Sequence, residues 1–393
     1  MEDPPKILYL ARWYPNRYDP MPGLFIQRHA EAASRYCKLG VVYTHVVENE
    51  RIKGFEAELS LINKVPTAKV YYNNPKFNIP LITFLIKSIR FFRANAIGIK
   101  KIKIELEGFH LIHVHILTRL GIIALWYKWF KGKPYLISEH WSRYLKLTGD
   151  FKGLFRKWLT RIVVKNAAVV TTVTQNLANA MQSHGLKNAN YKVLANVASD
   201  DFLKHDVAKT KNRKTTFVHV SCFEDKSKNI SGLLRVIKSM SMERTDFKFK
   251  LIGDGMDFEY LKKYAREIGL GTVVLEFTGL LEGKALVKEM AGADLMVVFS
   301  NYENLPVVIN EGFVLGIPVI ATRVGGIPEI VNHKNGKLIG AGDEKALEKL
   351  LHAYLDKKIK FNKKEIKSAA IEAYSAEKIG QEIYTFYLNS LNT

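Results

Sequence analysis

Between residues 295 and 331 the chain sets apolar runs, glycine, proline and carboxylates in an order that leaves few folds open. Leu295–Phe299 is an apolar run of strand length, Pro306 suits the first turn of a helix, and Gly316 with Pro318 ends that helix before a second apolar run, Val319–Ala321. Strand, loop, helix, strand is the repeating unit of a parallel α/β sheet. In such a sheet Glu303 lies in the loop at the carboxyl end of one strand and Gly325-Gly326 at the carboxyl end of the next, where open α/β sheets bind ligands. A helix starting near Pro306 offers backbone N–H groups and a positive dipole end, and paired glycines let another backbone approach an anion, so phosphate is the expected guest. Glu303 and Glu311 stand roughly 8 Å or more apart at about 1.5 Å rise per residue, too far to share one proton. They suit different hydroxyl groups of one ligand, as when a carboxylate accepts from the vicinal pair of a ribose.

The ordered run Glu303-Asn304-Leu305, Glu311, Gly316-Ile-Pro-Val-Ile-Ala-Thr-Arg-Val-Gly325-Gly326-Ile-Pro-Glu-Ile-Val331 resembles the signature of the retaining family 4 glycosyltransferases of GT-B fold. The resemblance implies α/β architecture with two Rossmann-like domains facing a central cleft. It implies an acceptor-binding domain over 1–205, a nucleotide-sugar-binding domain over 206–375, and a last helix, 376–393, crossing back to the first. A chain of 393 residues with 47% hydrophobic composition fits two cores. Asp206–Thr215 is polar and charged and marks the expected boundary, after which strands are expected at Thr216–Ser221, Lys248–Ile252 and Val273–Phe277. By resemblance Glu303 positions the donor sugar and serves in catalysis, with Asn304 and Leu305 beside it; Glu311 holds the ribose and Gly325-Gly326 approaches the diphosphate. Lys228 matches the family's phosphate-binding lysine, whereas Cys222 stands where the family usually has arginine; Lys226 is the candidate replacement for that charge. Gly253-Asp-Gly255 and Asn335–Ile339 resemble further short family segments.

In the first half, Lys6–Ala11 reads as a strand, then a loop ending in Gly23-Leu-Phe25, then a helix over about 24–35. That loop resembles the family's glycine-bearing loop over the cleft, and by itself also reads as a proline-rich surface turn. Leu111-Ile-His113-Val-His115 and Pro134–Ser138, followed by Glu139-His140, are strand ends that carry ionisable groups. The resemblance places His140 near the transferred sugar as a catalytic residue, with His113, His115 and Glu139 as cleft or acceptor residues; Ser138 replaces the family's threonine. Taken singly, each histidine also reads as a structural residue.

The sequence has no Asp-x-Asp and no evident His/Asp cluster for a divalent metal, so a metal-independent transfer is expected, with a nucleotide diphosphate sugar as donor substrate and no cofactor. Donor base, sugar, acceptor and linkage are not encoded in any motif. Net charge is +21 and concentrated: residues 1–200 hold 30 Lys/Arg against 13 Asp/Glu, residues 201–393 hold 29 against 25. Leu81–Lys103 has six basic residues and no acid, with Lys87, Arg90 and Arg93 on one arc opposite Leu81, Phe84, Leu85 and Phe92. That pattern suits an amphipathic helix lying on an anionic membrane surface, or a core helix with a solvated face. A lipid-linked glycan or polysaccharide precursor is therefore the expected acceptor. The opening Met-Glu-Asp-Pro-Pro lacks signal-peptide character and no run approaches a membrane span, so a cytoplasmic protein is expected, peripheral on the inner face of the cell membrane. Two cysteines, Cys37 and Cys222, agree with a reducing compartment. The alternatives are a GT-B sugar-nucleotide epimerase and a basic nucleic-acid-binding protein; the latter lacks the motifs of recognised modules, so no nucleic-acid partner is expected.

Overall fold

The computed structural model describes residues 3–48, 50, 52–75, 79–117, 119–145, 148–205 and 214–392. The chain divides into two compact units, one of residues 1–173, 178–197 and 376–393, the other of 174–177 and 198–375. Most of the charged stretch expected at the boundary, 206–213, lies outside the described residues.

The first unit contains β1 (Lys6–Ala11), α1 (Leu24–Ala33), β2 (Lys38–Val46), β3 (Phe55–Ile62), β4 (Val65–Tyr72), α2 (Pro80–Glu105), β5 (Leu111–His115), α3 (Leu120–Lys131), β6 (Tyr135–Glu139), α4 (Leu154–Asn166), β7 (Val169–Thr172), α5 (Gln175–Ser183, entering the unit at Ala178) and β8 (Tyr191–Val193). They build an eight-stranded sheet in the order β3-β4-β2-β1-β5-β6-β7-β8. Only the edge strand β3 runs antiparallel, joined to β4 through Asn63 and Lys64, both at positive φ as a two-residue hairpin turn requires. Strands β5, β6 and β7 are buried along their whole length although each carries polar residues, His113 and His115, Ser138 and Glu139, Thr171 and Thr172. A polar chain crosses this core: His113 Nε2 meets Ser138 Oγ at 2.7 Å, Ser138 Oγ meets Thr171 Oγ1 at 2.6 Å, and His113 Nδ1 meets Tyr387 Oη at 2.8 Å. Tyr387 also bonds Tyr9 at 2.7 Å.

The second unit holds α6 (Asp200–Leu203), β9 (Thr215–Val220), α7 (Asp225–Lys228), α8 (Ile230–Glu243), β10 (Phe247–Ile252), α9 (Phe258–Glu267), β11 (Leu275–Gly279), α10 (Gly283–Ala291), β12 (Leu295–Val298), α11 (Val307–Val314), β13 (Val319–Thr322), α12 (Ile327–Ile330), β14 (Gly336–Ile339), α13 (Glu344–Leu355) and α14 (Lys363–Tyr374). Its sheet is wholly parallel, ordered β11-β10-β9-β12-β13-β14. The order reverses at β9, so the crevice between the carboxyl ends of β9 and β12 is this sheet's topological switch point. The last helix, α15 (Ala376–Leu391), belongs to the first unit, where Ile379, Ile383 and Tyr387 join the core of β1 and α1. Gly380 allows that packing: a Cβ there would lie 2.3 Å from the Ala32 carbonyl oxygen.

Asn362 caps α14 by accepting from the Glu365 N–H, and Ile366 and Ala370 turn inward at helical spacing. One reading of the sequence needs correction. The strand expected at Val273–Phe277 starts two residues later, at Leu275, after Gly271 accepts turn bonds from the Val274 and Leu275 N–H groups.

Candidate functional site

In the second unit the loops after β9, β12 and β13 meet at the switch point. Each is built by neighbouring backbone. The Phe223 N–H donates to the Asp254 carbonyl (2.9 Å), and a Cβ on Gly255 would stand 2.6 Å from the Phe223 backbone, so the Gly253-Asp-Gly255 turn is a seat for the loop after β9. His219 bonds the Val297 carbonyl (2.9 Å) and Ser221 Oγ (2.8 Å), and burial lowers its pKa to about 4. Asn229 then adopts φ 52°, between α7 and α8, and leaves Lys228 facing the next strand's loop.

Lys228 Nζ lies 2.5 Å from Glu303 Oε1, with 19% and 10% of the two side chains exposed, so this pair is substantially desolvated. Ser300 Oγ donates to the same oxygen at 2.9 Å, and the Ser300 carbonyl accepts from Thr322 Oγ1 at 2.6 Å, tying three adjacent strands together. Gly325, at φ 55°, packs on this loop so closely that a Cβ would fall 1.9 Å from the Glu303 carbonyl oxygen. The Gly326 N–H donates to the Asn304 carbonyl at 2.7 Å, and Leu305 is buried below. Pro306 precedes α11 without side-chain capping of its first N–H groups, and Glu311 is 4% exposed inside that helix. Lys226 and Cys222 are both exposed; the Lys226 carbonyl accepts from Asn301 Nδ2 at 3.1 Å. The structure thus joins Lys228, Glu303, Asn304, Gly325 and Gly326 directly, with Glu311 one helix turn and more beyond them.

In the first unit a second group forms at the carboxyl ends of β1, β5 and β6. Gly23 sits at φ 76° with no room for a Cβ, which would lie 2.3 Å from the Trp13 carbonyl oxygen. Phe25 reaches the His140 ring at 4.5 Å between centroids, and Trp13 contacts Trp141 at 5.1 Å. Glu139 is fully buried and accepts backbone N–H bonds from Leu117, His140 and Trp141, each 2.9 Å. Burial pushes its carboxyl up to about 7, against those donors and Arg143, which pull it down. His113 stands apart in function: both its nitrogens serve the internal polar chain.

His29 was not singled out by sequence, and the expectation of no clustered histidines is corrected by it. Among the described residues His29, His115 and His140 bring one nitrogen each within 4.8 Å of one another, a ligand set of the kind a divalent metal accepts. The readable signal was Ile26, His29, Ala30 and Ala33 at helical spacing, which puts His29 on the buried face of α1. Burial drives His29 down to about 4, and His113, His115 and His140 well below the ordinary imidazole range.

Acid lability follows from these shifts. The fold prefers each of these histidines neutral, so the unfolded chain takes up their protons first as pH falls through about 6.5. Their stabilising contribution is present above that pH and lost on the way down to about 4. His29 and His219 alone stand to lose roughly 3 kcal/mol each. Glu139, raised in the fold, opposes with one proton of the other sign. Thermal unfolding scans from pH 7.5 to 5 should show a falling Tm below about 6.5; a flat profile would contradict neutral burial.

Residues 33–201 match the family "Glycosyltransferase Family 4" and residues 200–372 match "Glycosyl transferases group 1". The fold is GT-B, and the chain belongs to the group 1, family 4 type of glycosyltransferases. N-acetyl-alpha-D-glucosaminyl L-malate synthase of Bacillus anthracis is 25% identical over 296 residues, 72% of this chain and 76% of its own. The lipopolysaccharide 1,6-galactosyltransferase of Escherichia coli K12 is 26% identical over 166 residues, 41% of this chain and 45% of its own. A solved structure, Anabaena HepE in complex with UDP, superposes with a TM-score of 0.70 at 17% identity, covering 98% of this chain and 99% of that one.

Proposed function

We propose that this glycosyltransferase takes a sugar from a nucleotide diphosphate donor, with retention at the anomeric carbon, and gives it to a lipid-linked glycan or polysaccharide precursor on the cytoplasmic face of the membrane. The observation that carries the reading is the Lys228–Glu303 pair at the switch point of the second unit's sheet. An ammonium held in a desolvated crevice beside a glycine loop and an uncapped helix start is matched to a diphosphate, and Glu303, released from it, to a sugar hydroxyl. Glu311 takes the ribose. His140 and the loop at Gly23 belong to the acceptor side. As the bond from C1 to the diphosphate breaks, the acceptor oxygen bonds C1, and its proton leaves with the nucleoside diphosphate; no protein nucleophile is assigned. The likeness to a lipopolysaccharide galactosyltransferase supports the acceptor class.

No metal is assigned to the diphosphate in this reading, because Lys228 and backbone N–H groups meet its charge. The histidine group sits in the first unit, not among the donor residues. Incubation with UDP-, GDP- and ADP-sugars and a total lipid extract should release nucleoside diphosphate with one of them, and EDTA should leave the rate unchanged. Loss of activity in EDTA restored by Mg²⁺ or Mn²⁺ would overturn the metal-free step. Donor hydrolysis or epimerisation at the full rate without lipid would replace transfer with epimerase chemistry.

A further inference from the structure

The connections β4→β5, β5→β6 and β6→β7 all step the same way across the first unit's sheet, so right-handed crossovers place α2, α3 and α4 on one side of it. The helices touch in turn. A Cβ on Gly121 of α3 would stand 2.6 Å from Val163 of α4, and the Arg119 guanidinium at the start of α3 lies 5.5 Å over Phe84 of α2. Their inward stripes, such as Ile99 and Ile102, Leu120 and Ala124, Val163 and Val164, already serve the core. Their outward faces carry a second apolar set: Phe84 and Leu85 on α2, Trp129 and Phe130 on α3, Phe155 and Trp158 on α4, each at least half exposed, Phe155 at 71%. Three of the chain's five tryptophans, counting Trp126, stand on these outer faces. Single exposed apolar residues are ordinary; a set repeated on three neighbouring helices is a contact surface.

Charge selects the occupant. Helices α2, α3 and α4 contain twelve Lys/Arg and one acid, Glu105 at the end of α2. On α2 part of this charge is used within the fold, since Arg90 donates to the Asn73 and Gly54 carbonyls and Arg93 stacks on Phe55, so the expected arc of Lys87, Arg90 and Arg93 is not a free basic face. On α3 and α4 Lys128, Arg156 and Arg161 likewise donate to the Asn166, Asp150 and His184 carbonyls, and the surplus beside the exposed aromatics is Lys131, Lys157 and Lys165. We propose that the outer face of α2, α3 and α4 docks on an anionic phospholipid surface. Indole and phenyl rings seat at the headgroup level, while long cationic side chains beside them reach phosphate. A second copy of the chain would set like charges against like. Nucleic acid would neutralise the lysines and leave the apolar rings in water. No described helix is long and apolar enough to cross a membrane, so the attachment is peripheral. This surface gives the lipid-linked acceptor reading its location and rests on that reading for its purpose.

The test is flotation of the full chain with vesicles of phosphatidylcholine alone or with phosphatidylglycerol added. Wild type should bind the anionic vesicles about 10-fold or more better than the neutral ones, less so as salt shortens the screening length below about 10 Å. A Trp129→Ser/Phe155→Ser/Trp158→Ser variant changes only exposed positions, and should lose binding by about 10-fold at unchanged unfolding temperature and nucleotide-sugar affinity. Wild type ignoring anionic vesicles at low salt, the variant binding like wild type, or a wild-type dimer that the variant dissolves would each overturn the docking face. Competition that succeeds with duplex DNA but fails with anionic vesicles would assign the surface to nucleic acid. Failure in any of these forms, with nucleotide-sugar binding intact, leaves the transferase reading standing.

Discussion

Lys228→Met is expected to lower kcat/KM by about 100- to 1,000-fold, roughly 3–4 kcal/mol of transition-state stabilisation. The leaving diphosphate gains charge as the glycosidic bond breaks, and among the described residues Lys228 is the cation tied to Glu303, at 2.5 Å in a desolvated crevice. The substitution also leaves the Glu303 carboxylate, among the described residues, with Ser300 Oγ as its remaining donor on Oε1, which should cost about 1–3 kcal/mol of folding stability. The two effects separate in a double variant. Lys228→Met with Glu303→Gln should recover the stability, because no buried charge is left unpaired, and recover none of the activity. Steady-state kinetics with denaturant unfolding on the three variants measures both. Retention of more than about a tenth of wild-type turnover by Lys228→Met would remove the lysine from the chemistry.

Gly325→Ala should be nearly as damaging, through geometry alone. The new methyl group would meet the Glu303 carbonyl oxygen at 1.9 Å and the Asn304 carbonyl oxygen at 2.9 Å, and both obstacles are backbone. Either the loop carrying Glu303 moves away from Lys228, or Gly325 abandons φ 55°. A drop in kcat/KM of about 100-fold is expected, since a displacement near 1 Å at a reacting centre has that consequence. Gly342 is the control, at φ 72° with nothing within 4 Å of its Cβ, so Gly342→Ala carries only the left-handed backbone penalty of about 1–2 kcal/mol. Equal kinetics for the two variants would show that the Gly325 contact does not place Glu303.

Much of this unit was legible in sequence because its punctuation is local. Pro306, Gly316 and Pro318 bound α11, and the strands on either side are short apolar runs. The family resemblance drawn from those residues agrees with the two matched segments. The first unit was harder for identifiable reasons. Strand β3 exposes most of its side chains at a sheet edge, and its hairpin turns on Asn63-Lys64 with no glycine to announce it, so the β3–β4 hairpin left little signal, whereas β2 is an apolar run of strand length. His29, His115 and His140 come from three elements that only the β1-β5-β6 neighbourhood brings together. On α2 the expected apolar arc of Leu81, Phe84 and Leu85 is exposed and the inward stripe is Phe91, Ala94, Ile99 and Ile102, while the partners its arginines meet, Asn73, Gly54 and Phe55, depend on the neighbouring strands. The Lys228–Glu303 bond was likewise beyond spacing: both residues were named as donor ligands, and their pairing needs the adjacency of β9 and β12.

The central claim is that the switch-point residues of the second unit hold a nucleotide diphosphate sugar, and calorimetric titration tests it most directly. Wild type and Glu311→Ala would be titrated with UDP-, GDP- and ADP-glucose without added metal. Wild type should bind one of these nucleotides with a clear preference, and Glu311→Ala should weaken that same nucleotide by about 10- to 100-fold, the loss of one charged hydrogen bond to a ribose. Equal affinity in wild type and Glu311→Ala, or no nucleotide sugar bound by wild type at millimolar concentration, would contradict it.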